Sequence, residues 1–453
     1  MPRPDVLAPK DLDYNTGTAD ILRLDEVREL VSSDFLVLPC DLVCELGGEK
    51  LLQAWMVKSS SLTEMLGATG LTNGQHSLHS GGLGVWYDSK ANTPIKKEAT
   101  DFIATAPSSS SAIPPPKDSL VHKLSKLVYS MPTDTLNDLT EERKGLPLRH
   151  GLLKANPRVR MLTTHRDAHI YIFPRWVLDF IKMNDRLDSI GEDVVGWWAK
   201  AGWQIGLAEK LQIKEACGMN ETKKDSDEES ESSPTSVNSP TEPGPGQNTL
   251  FSKALAASRS QADWQQRFDV SKSPKEFQVP PLHAYVHSGA SQTPGSLIRR
   301  VDTAALLLAM SLQLAKLPSL EETGPDGASP YAHNKKVAYP EGVKSRTTIT
   351  KQDSLIDNNV AIEEKTSIKE TVVGANCQVN EGAKLLQCLL MEGVVVGKNC
   401  KLTRCILGKR CVIGDGTTLT DCEVQENLLV EARSKFSYSS YDDVYFTDGC
   451  DHS

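Results

Sequence analysis

Aliphatic residues return every seventeen positions in three interleaved columns toward the C-terminal end of the chain. The steps between successive columns are six, six and five residues, so each lap turns three corners and returns onto itself. An α-helix would repeat at about 3.6 residues and an isolated strand at about 2, whereas this period is typical of a hexapeptide-repeat parallel β-helix. The column positions, all Ile, Leu or Val, are Ile356, Val373, Leu390, Leu407 and Val424; Ile362, Val379, Val396, Ile413 and Val430; and Ile368, Leu385, Leu402 and Leu419. The pattern predicts a three-sided prism over residues 346–431 with these side chains inside.

The positions between the columns support the same geometry. Four glycines directly follow a column residue, where the backbone turns tightly and a Cβ would crowd it: Gly374, Gly397, Gly408 and Gly414. A second inward position in each step is mostly small, and it holds six of the ten cysteines. Because their spacing is that of the fold and no CxxC pair occurs, we expect buried thiols rather than a metal site or a disulfide framework.

The N-terminal part of the chain predicts an α/β domain. The apolar run Phe35 to Leu38 indicates a buried strand that delivers Asp41 at its carboxyl end. Open α/β sheets bind ligands at that end of their strands. The polar turn Asn15 to Asp20 precedes a helix and could face the same crevice.

Further helices and strands follow the same hydrophobic pattern. Ser189, with Glu192 three residues later, forms a predicted capping box for a helix that carries two tryptophans. The other predicted elements are helices at 49–60, 175–181, 253–268 and 303–316 and strands at 81–87, 121–128, 159–163, 169–173 and 283–287, and the stretch 297–301 precedes the last of these helices.

Three stretches have the composition of connecting or unstructured chain. Residues 218–249 are rich in Ser, Glu, Asp, Pro and Gly, which predicts a disordered insertion. A Gly and Pro linker is predicted at 318–345, and an acidic, aromatic, mobile tail at 432–453. Serines beside carboxylates or before proline make phosphorylation of the insertion a hypothesis, at Ser226, Ser230, Ser233 and Ser239.

Composition narrows the class of protein. A chain of 453 residues with 39% hydrophobic and 24% charged residues is ordinary for a soluble protein of two or three domains. We find no apolar run of membrane-spanning length and no secretory leader, which predicts a cytosolic protein without a membrane contact. The net charge of −9 argues against direct nucleic-acid binding.

An α/β domain followed by a hexapeptide β-helix is the layout of sugar-nucleotide pyrophosphorylases. The chain resembles more closely a family within that layout, the gamma-type subunits of the guanine-nucleotide exchange factor that acts on initiation factor two, in a fungal-like form. The resemblance covers nearly the whole chain and implies a nucleotidyltransferase-like, Rossmann-like domain over 1–317 and a left-handed β-helix. The segments that carry it are Gly17-Thr18-Ala19, Phe35 to Asp41, Asp167 to Tyr171, Ser189 to Trp198 and Arg299 to Thr303, together with the β-helix.

The resemblance also implies that the nucleotide site is vestigial. Pyrophosphorylases begin with a strand and a Gly-rich loop whose amides hold the nucleotide phosphates, and this sequence supplies no such loop. In the family, the sequence around Met1 would lie well inside the domain, so we expect the first strands to be absent. Asp41 matches a metal-holding position of the active enzymes. Without the loop, Gly17, Thr18 and Asp41 are interpreted as remnants, and we expect no catalytic residue, metal or cofactor.

The leading hypothesis is a non-catalytic regulatory subunit of that exchange complex. The resemblance implies partners in the epsilon subunit, the other subunits and initiation factor two, with exchange performed by an extra C-terminal helical domain of epsilon. Only 22 residues follow Glu431, too few for such a domain. The alternative, a sugar-phosphate nucleotidyltransferase, would need the phosphate loop. A hexapeptide acyltransferase would need a histidine base on the β-helix, and there is none between 335 and 451.

Overall fold

The computed structural model describes residues 6–9, 12–13, 15–59, 81–90, 98–108, 119–218, 277–288, 297–324 and 328–437. These residues form an α/β domain followed by a left-handed parallel β-helix, so the predicted fold class is confirmed. The predicted insertion after residue 218, the predicted helix at 253–268 and the predicted tail from residue 438 onward lie outside the described residues.

The α/β domain is built on a mixed sheet with helices against it. Its elements, in chain order, are α1 Thr18–Arg23, α2 Asp25–Leu30, β1 Phe35–Val37, β2 Leu42–Cys44, α3 Gly48–Ser59, β3 Gly82–Asp88, β4 Asp101–Pro107, a 3-10 turn Leu120–Lys123, β5 Leu124–Pro132, α4 Thr133–Arg143, α5 His150–Ala155, β6 Arg160–Phe173, α6 Trp176–Met183, a π turn Ile190–Val194, α7 Val195–Ala201, α8 Leu207–Lys210, α9 Ile213–Ala216, β7 Leu282–His287, β8 Ile298–Arg300, α10 Ala304–Ala315 and α11 Leu320–Thr323.

The sheet runs in the order β1-β6-β3-β7-β5-β4, and β4 also pairs with the N-terminal half of β6. Five strands therefore close into a ring, and β1 lies along the C-terminal half of β6 outside it. The pairing of β3 with β7 is parallel and the other pairings are antiparallel. Side chains alternate between two packed faces of the sheet: Val85 and Ile172 face one apolar cluster, whereas Trp86 and Phe173 face another.

A strand does precede Asp41, but the prediction that this strand is buried was wrong. Strand β1 pairs only with β6 in the described chain, and Leu36 and Leu38 are 44% and 58% exposed. A short apolar run is compatible with a central or an edge strand, and the run alone does not distinguish them.

Strand β6 also differs from its prediction, since one strand of 14 residues replaces two short ones. The pattern was interrupted by the polar stretch from Thr164 to Asp167, which reads as a loop. In the structure, three of these residues, His165, Arg166 and Asp167, are buried. Arg166 and Asp167 interrupt the hydrophobic pattern because they belong to an internal ionic cluster, described below.

The predicted capping box at Ser189 has a different partner. The Oγ atom of Ser189 accepts hydrogen bonds from the backbone N–H groups of Glu192 (3.2 Å) and Asp193 (3.3 Å). The return contact comes from Asp193, whose Oδ2 accepts from the Ser189 N–H at 3.0 Å. The first turn, Ile190–Val194, is a π turn, and it shifts the capping carboxylate by one position.

The β-helix has three parallel sheets. Its strands are β9 Thr348–Ile349, β10 Leu355–Ile356, β11 Ala361–Ile362, β12 Ser367–Lys369, β13 Val372–Val373, β14 Gln378–Val379, β15 Lys384–Leu386, β16 Leu389–Leu390, β17 Val395–Val396, β18 Lys401–Thr403, β19 Ile406–Leu407, β20 Val412–Ile413, β21 Thr418–Thr420, β22 Glu423–Val424, β23 Leu429–Val430 and β24 Lys435–Ser437. The sheet orders are β10-β13-β16-β19-β22, β11-β14-β17-β20-β23 and β24-β21-β18-β15-β12-β9.

The seventeen-residue register predicted from the sequence is the register of the structure. Leu385 pairs with Leu402, and Leu402 pairs with Leu419. The eight core residues singled out from the columns are each at most 2% exposed: Ile368, Val379, Leu385, Val396, Leu402, Leu407, Ile413 and Leu419. Five cysteines of the stack are buried and Cys422 is partly buried, and no disulfide joins the cysteines of the described residues.

The predicted boundaries of the β-helix were too narrow. A first lap begins in the predicted linker, because Val337 and Val343 form parallel bridges with Ile356 and Ile362. This lap has nineteen residues rather than seventeen, as the pairing of Ile349 with Ile368 shows, so it falls outside the period. At the other end β24 pairs with β21, so the prism extends into the predicted tail as far as residue 437.

Helix α10 joins the two parts of the molecule. It contacts β13 and β16 on the outside of the prism, where the outward-facing Leu389 of β16 is only 8% exposed. The buried ammonium of Lys336 donates hydrogen bonds to the carbonyl oxygens of Ala315 and Leu317 at the C-terminal end of α10. The predicted linker is therefore a packed junction.

One helical segment at this junction corrects the statement that the sequence has no apolar run of membrane-spanning length. The segment Ala304–Thr323 passes the test for a membrane-spanning helix by length and mean hydropathy. It consists of two helices, α10 and α11, and α10 contacts the prism. Only 22% of the apolar window is buried, so contact between the two domains accounts for part of the hydrophobic run.

Candidate functional site

A cleft of about 280 Å³ opens between β4, β6 and the loop that contains Gly191. Its walls carry charged side chains from β4, β6 and β8, among them Asp101, Asp167 and Arg300. The cleft is the place where the α/β domain concentrates buried ionisable groups, so we take it as the candidate site.

Asp41 reaches this region through the short ribbon of β2 and β8. The ribbon pairs Leu42 with Arg300, and the Val301 N–H donates to the Asp41 carbonyl oxygen at 2.7 Å. This backbone register brings the Arg300 guanidinium against the Asp41 carboxylate. Its Nε and Nη2 atoms both donate to Asp41 Oδ2, at 3.2 and 2.9 Å.

Two further arginines neutralise the carboxylates around Arg300. Arg166 donates to Asp302, and Arg299 donates to Glu98 at 2.6 Å. Burial raises the pKa of Glu98, and the charges of Arg299 and Arg166 only partly offset that effect. Burial also disfavours the charged form of Asp302, but the hydrogen bond and charge of Arg166 outweigh it and lower the pKa of Asp302.

An acidic pair lies on the other side of the cleft. The Asp167 N–H donates to Asp101 Oδ2 at 2.7 Å, which holds the two carboxyl groups in one neighbourhood. Burial raises the pKa of Asp101 to about 6, and repulsion from Asp167 adds to the effect. Burial likewise raises the pKa of Asp167 to about 6, against the opposing hydrogen bonds from Tyr171 and the His169 backbone.

His169 stands between the acidic pair and Arg300 with an unusual backbone. Its φ of 51° lies in the left-handed region, and its N–H donates to Asp167 Oδ1 at 2.8 Å. Burial, followed by the charge of Arg300, lowers the pKa of His169 to about 4. The ring is therefore neutral near pH 7, and its Nε2, 3.3 Å from Arg300 Nη1, can accept a hydrogen bond from the guanidinium.

Gly17 and Thr18 contact the segment just before Gly191, a residue that lines the cleft. Thr18 Oγ1 accepts a hydrogen bond from the Ile190 N–H at 2.9 Å, and a Cβ on Gly17 would come within 2.0 Å of the Asp188 carbonyl oxygen. These two residues hold the turn that leads to Gly191, while Asp41 contacts Arg300. None of the three predicted remnant positions is among the residues that line the cleft, and no hydrogen bond or ion pair in the described part of the chain joins Gly17 or Thr18 to Asp41.

The donor set does not fit a divalent metal ion. A metal in an oxygen site needs carboxylate oxygens that are free to bind it, and Asp41 Oδ2 already accepts two bonds from Arg300. Within the described ranges, no group of three or more His, Cys, Asp and Glu side chains converges as a metal site. The arrangement is a network in which three arginines neutralise Asp41, Glu98 and Asp302 beside the acidic pair Asp101 and Asp167, and it links β2, β4, β6 and β8.

Sequence reasoning found Asp41 but not the network around it. The segments Asp167 to Tyr171 and Arg299 to Thr303 were noted only for their resemblance to a family, without roles for their side chains. One local signal was present: charged residues interrupt the hydrophobic pattern inside β6, as surface residues also would. The serines proposed for phosphorylation lie outside the described residues.

Comparison with known proteins shows that the chain is similar to subunits of eIF2B. Residues 336–437 match the family model described as the EIF2B subunit epsilon LbH domain. The chain is also similar to the translation initiation factor eIF2B subunit gamma of Schizosaccharomyces pombe, with 24% identity over 210 residues. That match covers 46% of this chain and 37% of the relative, so the chain spans well under half the length of the curated relative.

Proposed function

We propose that this chain is a non-catalytic regulatory subunit of an eIF2B-type guanine-nucleotide exchange complex in translation initiation. Such a complex returns initiation factor two from its GDP-bound to its GTP-bound form. The proposal rests on the pairing of Asp41 with Arg300 in a chain that is similar to eIF2B subunits. A cytosolic location follows from that role.

The geometry argues against nucleotidyl transfer as the activity. That chemistry needs cations that neutralise the nucleotide phosphates during transfer, and usually a metal ion held by carboxylates. Here Asp41 and Asp302 are neutralised by Arg300 and Arg166 of the same chain. We therefore infer that the nucleotidyltransferase-like fold serves as a scaffold.

The gamma type is the better assignment of the two that the comparisons suggest. The match to the epsilon model is confined to 336–437, a stretch of 102 residues. The similarity to the gamma subunit extends over 210 residues and so includes more than the β-helix. Under this proposal the partners are the epsilon subunit, the other subunits of the complex and initiation factor two.

A GDP-release assay tests the proposal. Initiation factor two loaded with labelled GDP is mixed with this chain alone, with the epsilon subunit alone, or with both. We expect the chain alone to leave release at the spontaneous rate and to accelerate release when it is added to epsilon. Acceleration by the chain alone would refute the regulatory role, and no effect on epsilon would refute the partnership.

A second assay tests the alternative activity. The purified chain is incubated with a nucleoside triphosphate, a sugar phosphate and Mg²⁺, and nucleotide-sugar formation is followed. We expect no turnover. Turnover that is lost in Asp41→Asn would establish the nucleotidyltransferase instead, whereas turnover that survives this substitution points to a contaminating enzyme.

A further inference from the structure

A second and larger cavity lies away from the ionic cleft, on the side of the sheet formed by β4, β5 and the start of β6. Its volume is about 410 Å³, and it is closed by the loop at 146–149, helix α7 and the turn at 202–206. Four aromatic side chains line this aromatic groove: Phe102, Tyr129, Trp197 and Trp203. None of its residues takes part in the network around Asp41.

The aromatic walls of the groove are fixed in place. Trp203 Nε1 donates to the Val128 carbonyl oxygen at 2.7 Å, so its ring cannot rotate freely. Phe102 and Tyr129 stack edge to face with ring centroids 5.8 Å apart. Rigid aromatic side chains give a large contact area with little loss of conformational entropy on binding.

Three basic side chains line the groove. Arg149, Lys200 and Lys210 line it, and none of them forms an ion pair within the described part of the chain. Lys200 Nζ lies 4.7 Å from the Tyr129 ring centroid and 4.9 Å from that of Trp197, so aromatic faces are its neighbours. Burial lowers the pKa of Lys200, and the charge of Arg149 lowers it further, against the opposing effect of the Asp193 charge.

Large apolar side chains extend the groove onto the surface. Leu148 is 45% exposed, Met161 37% and Trp197 39%, and Ile205 at the tip of its turn is fully exposed. A small ligand in the cavity would leave Leu148 and Ile205 in water. Aromatic and arginine side chains surrounded by exposed apolar residues are typical of a protein-binding surface.

We propose that the aromatic groove binds an acidic segment of a partner protein that carries an aromatic or large aliphatic anchor residue. The anchor fills the space between Tyr129, Trp197 and Trp203, and flanking carboxylates pair with Arg149 and Lys200. The occupant is inferred from charge complementarity, since three cations without an ion pair among the described residues line a cavity whose other side chains are mostly apolar. The inference goes beyond the proposed role in nucleotide exchange and does not depend on it.

Selection from a displayed library of random peptides tests the proposal. The full chain is immobilised as wild type, as Arg149→Glu, as Trp197→Ser and as Lys401→Glu, a matched charge reversal on the outer face of the prism. Arg149 and Trp197 are exposed, so their substitution leaves the core intact, and circular dichroism checks the fold. Lys210→Glu replaces either variant if it does not fold.

We expect wild type and Lys401→Glu to enrich the same peptides, with Asp or Glu flanking an aromatic or aliphatic residue. By fluorescence polarisation, the affinity of an enriched peptide falls at least about tenfold in Arg149→Glu and in Trp197→Ser. Peptides that bind these two variants as well as wild type, or no enrichment above the matrix, would overturn the proposal. Displacement of the peptide by an equal concentration of oligouridylate would also overturn it, in favour of an RNA site.

Discussion

Arg300 Nη2 lies 2.9 Å from Asp41 Oδ2, although 259 residues separate the two in the sequence. Both side chains are largely buried, with 16% and 19% of their surface exposed. Removing one partner of such a pair leaves the other charge without compensation in a poorly solvated place. We expect Arg300→Leu to lower the free energy of unfolding by about 2 to 4 kcal/mol, measured by urea denaturation.

A double-mutant cycle separates the pair from other effects of the substitution. Combining Arg300→Leu with Asp41→Asn removes both charges, so the double variant should be more stable than Arg300→Leu alone. Lys335→Ala, which removes the exposed pair with Glu321, serves as the control and should cost at most about 1 kcal/mol. Additive losses for Arg300 and Asp41 would show that the two side chains do not interact.

The acidic pair predicts an unusual dependence of stability on pH. The pKa of Asp101 is raised to about 6 in the folded protein, above its ordinary value, so the folded state holds more protons than the unfolded state between about pH 4 and 6. The contribution of the Asp101 carboxyl group to the stability of the folded protein therefore decreases as the pH rises through that window. Asp101→Asn does not titrate, so its stability relative to wild type should increase by at most about 3 kcal/mol from pH 4 to 7. Parallel stability curves for the two proteins, measured by thermal melting across this range, would contradict the prediction.

The register of the β-helix makes a sharp contrast between neighbouring residues. Leu402 is 1% exposed between Leu385 and Leu419, whereas Lys401 is exposed on the outer face. Leu402→Asp buries a carboxylate without a partner and should cost several kcal/mol, on the order of 3 to 5. Lys401→Asp should change stability little. Equal melting temperatures for the two variants would refute the register.

Tight corners of the prism predict which glycines tolerate a methyl group. A Cβ on Gly414 would lie 2.4 Å from the backbone nitrogen and 2.7 Å from the Cα of Ala432 in the next lap. Because those atoms are backbone, the lap itself must shift, and we expect Gly414→Ala to cost about 1 to 3 kcal/mol. Gly47 has no atom within 4 Å of a built Cβ, so Gly47→Ala should stay within about 0.5 kcal/mol of wild type in the same denaturation experiment.

The β-helix could be predicted from the sequence because its determinants are local and repeated. Each inward residue, such as Leu402, is recognised because an aliphatic residue also occurs seventeen positions before and after it. The first lap was missed because the turn from Thr350 to Ser354 makes that lap two residues longer than the others and removes Val337 and Val343 from the period. The packing of α10 was missed as well, although the strands that it contacts show doubled aliphatic positions in the sequence, Val372 before Val373 and Leu389 before Leu390.

The ionic network could not be predicted in the same way. Glu98 meets Arg299 and Asp41 meets Arg300 only because distant strands pair in one register. Each of these charged residues, taken alone, is equally compatible with a solvated surface position. Hydrophobic periodicity predicts which face of a strand or helix is buried. It does not predict which buried charged side chains form ion pairs.

The rate at which the cysteines inside the prism are alkylated can be used to measure how often the β-helix opens. An alkylating reagent attacks thiolates that it can reach, and Cys388 and Cys405 are fully buried between laps. Burial also raises the pKa of Cys411 to about 11, which keeps that thiol protonated. Their labelling rate in native buffer therefore reports how often the inner laps separate. Cys422, partly buried near the last lap, should react first, so the order of labelling traces the direction in which the prism unwinds.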